Sequence, residues 1–186
     1  HSFAVRLLND LFGVQARGGC SCAGPYGHRL LRIDLDTSHE YEGQIACGLN
    51  GMKPGWVRVN FNYFIDDETF DLVVRAVDLV ATHGWRLLPE YRFDVKSGLW
   101  RHRDAKDSML RLTDLSYEGG ALAVPPARPK SAPRAADCLA EGERLLRAGA
   151  RQAIAGGSDL ALSAESESLR WFVLAEEAMA LMQAER

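Results

Sequence analysis

The chain has 186 residues, 47% of them hydrophobic and 25% charged, and its 22 Lys and Arg against 25 Asp and Glu give a formal charge of −3. That length allows one domain, or one domain with an appendage, and a core that needs no disulfide or metal staple. The charge balance gives no reason to expect nucleic acid, and no apolar run reaches the roughly 18 residues of a membrane-spanning helix.

The opening HSFAVRLLNDLF carries polar residues within its apolar stretch and lacks a signal-peptide cleavage site. Four cysteines in a chain this long are not a disulfide framework, and Cys20 and Cys22 are too close in sequence to bridge comfortably. A reducing, cytoplasmic setting is the expectation. The chain starts with His1 rather than Met, with Ser2 already reading as a helix cap, which suggests a piece of something longer.

In chain order, Ser2 is expected to cap a helix with Phe3, Leu7, Leu8 and Leu11 on one face and Gly13 as its stop. After a short extended piece, Val14 to Arg17, the run RGGCSCAGPYGH (Arg17 to His28) reads as a loop, because Gly and Pro interrupt both regular patterns. Thr37 to Gly51 reads as a weaker helix. GWVRVNFN then alternates Val57, Val59 and Phe61 against Trp56, Arg58, Asn60 and Asn62, which predicts a strand with one purely apolar face.

Asp66 is expected to cap the strongest helix, striped by Phe70, Val73, Val74, Val77, Val80 and Ala81 and closed by His83 and Gly84. Tyr91 to Phe93 and Leu99 to Arg101 read as a hairpin around DVKSG. Residues 121–133, ALAVPPARPKSAP, read as a Pro/Ala-rich linker. Two helices follow, about Ala135 to Ala153, weakened by Gly142 and Gly149, and about Ala164 to Ala184, with Trp171, Leu174, Ala178 and Leu181 on one face. The order predicts an α/β chain of the α+β small-domain kind, a short sheet with helices packed on it, over 1–120, followed by a helical extension over 134–186.

The chemistry concentrates in the Cys20–Cys22 loop and in Arg58. Cys22 reads as a thiolate nucleophile, sharpened by cations such as Arg17 and by nearby backbone N–H groups. A zinc site from Cys20, Cys22 and His28 with Cys47 or His39 is a second reading, although a C-x-C spacing is shorter than structural zinc sites use. Simple packing of small hydrophobes is the third, and it is the one expected for Cys47 and Cys138. An arginine on a strand must face a carboxylate, a ligand or water, so Arg58 reads as one half of an internal ion pair, as part of an edge strand facing solvent, or as a bidentate clamp on a substrate carboxylate.

Together, ARGGCSCAG and the downstream GWVRVNFNYFIDDETFDLVVRAVDLV resemble the C-terminal small domain of the class V aminotransferase superfamily, over roughly residues 1 to 84. These enzymes depend on pyridoxal phosphate (PLP), and the likeness is to their cysteine desulfurase and selenocysteine lyase branch. Arg17, Gly19, Cys22 and Ala23 match its R-x-G-x-x-C-A loop. Arg58 and FIDDETFD match its strand-to-helix passage, although relatives carry histidine where Cys20 and Ser21 stand.

The resemblance implies that Cys22 attacks the sulfur or selenium of a cysteine-like substrate joined to PLP, forming a persulfide as alanine leaves. It implies that Arg58 holds the substrate carboxylate and that Arg17 steadies the loop or assists. Read from its position after PYG, His28 is expected to support the loop or face solvent, with a proton shuttle as the alternative. The family's PLP lysine, with its aspartate and histidine partners, has no counterpart here, so the cofactor is expected in a large domain preceding this chain. That domain would also make most of any homodimer contact. Two alternatives stand beside this reading: a PLP transaminase, epimerase or desulfhydrase that needs no thiol, and a non-catalytic interaction module using the Trp171 helix.

Overall fold

Helix α1 (Ser2–Phe12) is the floor on which the other elements pack, because Leu7, Leu8 and Phe12 fall on one face and are buried. The structure is a computed structural model that describes residues 1–20, 24–105, 115–122, 133–150 and 162–185. Gly13 ends α1 as expected, at φ 67, with its N–H returned to the Asn9 carbonyl and the Val14 N–H to that of Leu8. The start differs from expectation. Ser2 is the first helical residue rather than the cap, and His1 occupies the cap position without a side-chain cap bond.

The described parts of the run read as a loop are regular, on either side of residues 21–23, which lie outside the described ones. Arg17–Gly19 form strand β1, and Gly24–Leu31 form helix α2. Pro25 is tolerated because it sits in the first turn, where its missing N–H has no intrahelical partner to lose. The second helix expected from Thr37 is shorter and starts earlier. It is α3 (Leu35–Ala46), capped by Asp34, whose Oδ1 accepts from the Thr37 amide at 2.8 Å, and a single 3-10 turn, Asn50–Met52, follows.

The strand expected across Trp56 to Asn62 is confined to β2 (Trp56–Arg58), antiparallel to β1. A three-residue β1 can pair only three residues, so the alternation beyond Arg58 has no partner, and Phe61, Tyr63 and Phe64 are exposed.

Helix α4 (Asp67–His83) begins where the sequence placed it. Asp66 Oδ1 accepts from the Thr69 amide at 2.8 Å, and Asp67 and Glu68 lie in the first turn. Those hydrogen bonds to Thr69 hold the Asp66 carboxyl below the usual Asp range. A depressed folded pKa stabilises above the ordinary Asp value, and that contribution disappears as pH falls through the folded one. Asp66→Ala is therefore expected to lower the melting temperature by a few degrees near neutrality. The gap from wild type should close in acid, as read by thermal denaturation across pH.

The buried face of α4 is not the predicted stripe. Ala76, Leu79 and Val80 enter the core with Leu72 and Val73 against it, whereas Phe70, Val74 and Val77 are exposed. The reason is the position of α5 (Ala135–Ala148) and α1, which pack on the other flank of the apolar arc. Leu139 and Leu146 of α5 join Leu7, Leu8 and Phe12 in one cluster with Leu87, Leu88, Tyr91 and Trp100.

The predicted hairpin is present as β3 (Tyr91–Asp94) and β4 (Leu99–His102), with Phe93 opposite Trp100 and their rings stacked at 4.4 Å. The Asp94 side chain accepts from Lys96 and Ser97, and Gly98 takes φ 73, which closes the turn. The two ribbons are separate two-stranded sheets. Tyr91 donates from its hydroxyl to Asp10 at 3.1 Å; burial first, then the Asp10 charge, push its pKa well above the ordinary tyrosine value.

The expected helix over Ala164 to Ala184 is instead two, α6 (Ala164–Ser168) and α7 (Ala175–Ala184). The break is held by Arg170, which pairs with Glu167 and Glu177 and donates to the Phe172 carbonyl. It directs Trp171 to the Met52 carbonyl at 3.2 Å and Phe172 against Phe93. Trp171 thus belongs to the turn and not to a helix face. Cys47 is exposed at the end of α3, not packed, and Cys138 is half-buried. The fold is the α+β small domain expected. Among the described residues no helix is long and apolar enough to cross a membrane; the Pro-rich segment 123–132 lies outside them.

Candidate functional site

The β1–β2 ribbon brings together two residues that the sequence kept far apart. Arg17 stands directly opposite Arg58, Gly18 opposite Val57, and Gly19 opposite Trp56. Directly opposed residues project to the same face, with Cα atoms about 4.5–5.5 Å apart. Val57 faces the core cluster from the other side of the ribbon. The opposite face therefore carries Arg17, Arg58 and Trp56 together.

Glycine makes this geometry accessible. A Cβ on Gly55 would lie 2.5 Å from the Gly19 carbonyl carbon, backbone against backbone, so only glycine lets β2 enter beside β1. On the exposed face, a Cβ on Gly27 would meet the Trp56 ring at 3.1 Å; α2 lies over the indole there. The tryptophan is half-buried beneath α2, two residues from Arg58. In sequence, Trp56 falls on the polar face of the strand with no function attached to it. Its spacing from Arg58 was the available signal.

Both arginines are exposed, and among the described residues neither has an acidic partner. Like charges directly across a ladder are destabilising. The ion-pair reading of Arg58 has no acid here to satisfy it. Two forked guanidinium groups on one face are suited to an anion of carboxylate geometry, which each can bind through paired N–H donors.

The thiols are divided. Cys20 follows β1 directly and is exposed, its backbone N within 2.9 Å of where a Gly55 Cβ would stand. Cys22 lies outside the described residues, as does Ala23. His28 Nε2 is 3.4 Å from Ser38 Oγ and links α2 to α3. No three His, Cys, Asp or Glu side chains gather as metal ligands among the described residues.

Lys53 and Lys96 are both exposed, the first ahead of Pro54 and the second in the β3–β4 turn; Lys106 and Lys130 lie outside the described residues. A lysine that forms a Schiff base needs a desolvated pocket to lower its pKa. The described residues therefore do not fit the cofactor. Comparison with protein-family models, with curated proteins and with solved structures gives no match.

Proposed function

We propose that this chain is the carboxylate-binding, thiol-bearing part of a PLP-dependent enzyme of the class V aminotransferase kind, acting on cysteine or a related amino acid in the cytoplasm. Its closest functional analogue on this reading is a cysteine desulfurase or selenocysteine lyase. The observation that carries the proposal is the opposed pair Arg17 and Arg58, exposed on one face of the β1–β2 ribbon without an acid among the described residues.

In this reading Arg58 grips the substrate carboxylate through two of its N–H donors. Arg17, across the ladder, supplies the second positive charge and fixes the start of the cysteine loop. The Trp56 indole walls the site and excludes water from one side, which strengthens each charge-assisted bond. Cys22, five residues after Arg17, is the nucleophile toward the substrate sulfur. PLP belongs to another domain of the same enzyme.

The test uses the enzyme containing this chain, supplied with PLP and L-cysteine. Without a reductant, one enzyme persulfide is expected per alanine released; with an added thiol reductant to return the persulfide to the thiol, alanine and sulfide are expected in equal amounts from wild type. Cys22→Ala is expected to stop persulfide formation while leaving the affinity for a non-reactive amino acid, L-alanine, within about twofold, because the carboxylate clamp is untouched. Desulfuration at the wild-type rate in Cys22→Ala removes the nucleophile assignment.

A further inference from the structure

A cavity of about 160 Å³ lies where α1, the 3-10 stretch Gly84–Glu90, the open end of the β3–β4 hairpin and the last turn of α5 meet. Leu11, Leu87 and Leu145 give it apolar walls, with the buried Tyr91 beside them. A cavity of this size and lining has room for one six-membered ring. It suits a small compound rather than a drug-sized one.

The rim favours one sign of charge. Glu90 and His102 stand on it, their side chains 36% and 34% exposed. Ala148 and Gly149 bring the C-terminal turn of α5 against the cavity, the end of a helix that carries partial negative charge. Among the described residues no Lys or Arg lines it. The arginines on or beside these elements are engaged: Arg6 with Asp10, Arg86 with Glu185, Arg147 with Glu143, and Arg103 with the Pro89 carbonyl.

The Glu90 carboxylate has acceptor capacity to spare. Its one ion contact among the described residues is His102 Nε2 at 3.6 Å, longer than a hydrogen bond. The Asp104 amide donates to His102 Nδ1 at 3.1 Å and fixes the ring. The other donor on the cavity, the Tyr91 hydroxyl, is given to Asp10. A carboxylate accepts up to about four hydrogen bonds, so the cavity sets apolar walls beside an anion whose oxygens lack donors.

We propose that this cavity binds a small organic monoamine, its compact apolar body among the leucines and its ammonium on the Glu90 carboxylate. An organic acid would face Glu90 and the α5 carbonyls, and an amino acid would bring its own carboxylate to the same rim. A neutral body of the same shape keeps the apolar contacts and loses the charge-assisted hydrogen bond. The inference does not depend on the carboxylate reading, since it uses neither Arg17, Arg58 nor Cys22.

Titration of the full chain with benzylamine tests it, followed by NMR through the leucine methyl and His102 ring resonances. Benzylammonium is expected to saturate with a Kd of about 1 mM, a weak affinity suited to roughly eight non-hydrogen atoms. Benzyl alcohol, its neutral counterpart, should bind about tenfold more weakly, and benzoate and L-phenylalanine should not saturate. Glu90→Gln keeps the shape and removes the charge. It should cost benzylammonium about tenfold and leave benzyl alcohol within about twofold. Ala148→Phe, at an exposed helix position, puts a ring at the cavity edge and should abolish binding of both probes. Thermal melts verify that the variants fold; Glu90→Gln, on the rim, needs no repacking and decides the matter alone. Equal affinity for benzylammonium and benzyl alcohol, saturation by benzoate, a Glu90→Gln variant that binds as wild type, or shifts confined to residues off the cavity overturns the proposal.

Discussion

Replacing Arg58 with alanine is expected to lower kcat/KM for the amino-acid substrate about a hundredfold while leaving the melting temperature unchanged or slightly raised. Hydrogen bonds to charged groups contribute about 1.5–3 kcal/mol each. Losing a two-pronged contact at an exposed site should cost about 3 kcal/mol, the lower end for two such bonds, which at about 1.4 kcal/mol per tenfold is a little over a hundredfold. The stability effect has the opposite sign. Arg17 and Arg58 repel across the ladder and have no acid partner among the described residues, so removing one relieves a like-charge pair.

Steady-state kinetics with L-cysteine and a thermal melt on the same preparation read the two effects. Arg58→Lys keeps the charge but not the fork and should fall between wild type and alanine. A lowered melting temperature with kcat/KM unchanged would show a structural arginine and remove the clamp.

Gly142→Ala is expected to destabilise the protein by about 1–3 kcal/mol, against the sign that helix propensity gives. Alanine in the middle of a helix is better than glycine by about 1 kcal/mol, and from sequence Gly142 reads simply as a weak point in α5. In the structure Gly142 is buried, and a Cβ there would stand 2.3 Å from Cε1 and 2.6 Å from Cζ of Phe12. The ring is itself buried in the core and has little room to retreat. The melting temperature should fall by several degrees, at about 2–4 °C per kcal/mol for a chain of this size. Phe12→Leu in the same chain should return part of the loss, because it removes the ring atoms that collide. An equal or higher melting temperature for Gly142→Ala alone would mean that α1 and α5 do not approach this closely.

Position 149 carries a different lesson with the same residue. It reads as a second weakness in one long helix, but Gly149 ends α5 at φ 65, returning its N–H to the Leu145 carbonyl. A glycine inside a periodic run is thus read differently according to what approaches it. At 142 the cause is a neighbouring ring, and at 149 it is the backbone's own turn.

What the sequence determined by itself is what one or two turns of chain control. Asp66 at the head of α4, Gly13 at the end of α1 and the DVKSG turn of the hairpin were all legible, because each is a hydrogen bond or dihedral choice among residues within four positions of one another. Tertiary structure decided the length of β2, the buried side of α4, the break at Arg170 and the pairing of Arg17 with Arg58. Those outcomes depend on partners distant in sequence: a strand can be no longer than the one it pairs with, and an apolar arc wider than its neighbours leaves part of itself in water. Alternation in GWVRVNFN states that one face is apolar; only the arrival of β1 determines where the strand stops and which arginine looks across at Arg58.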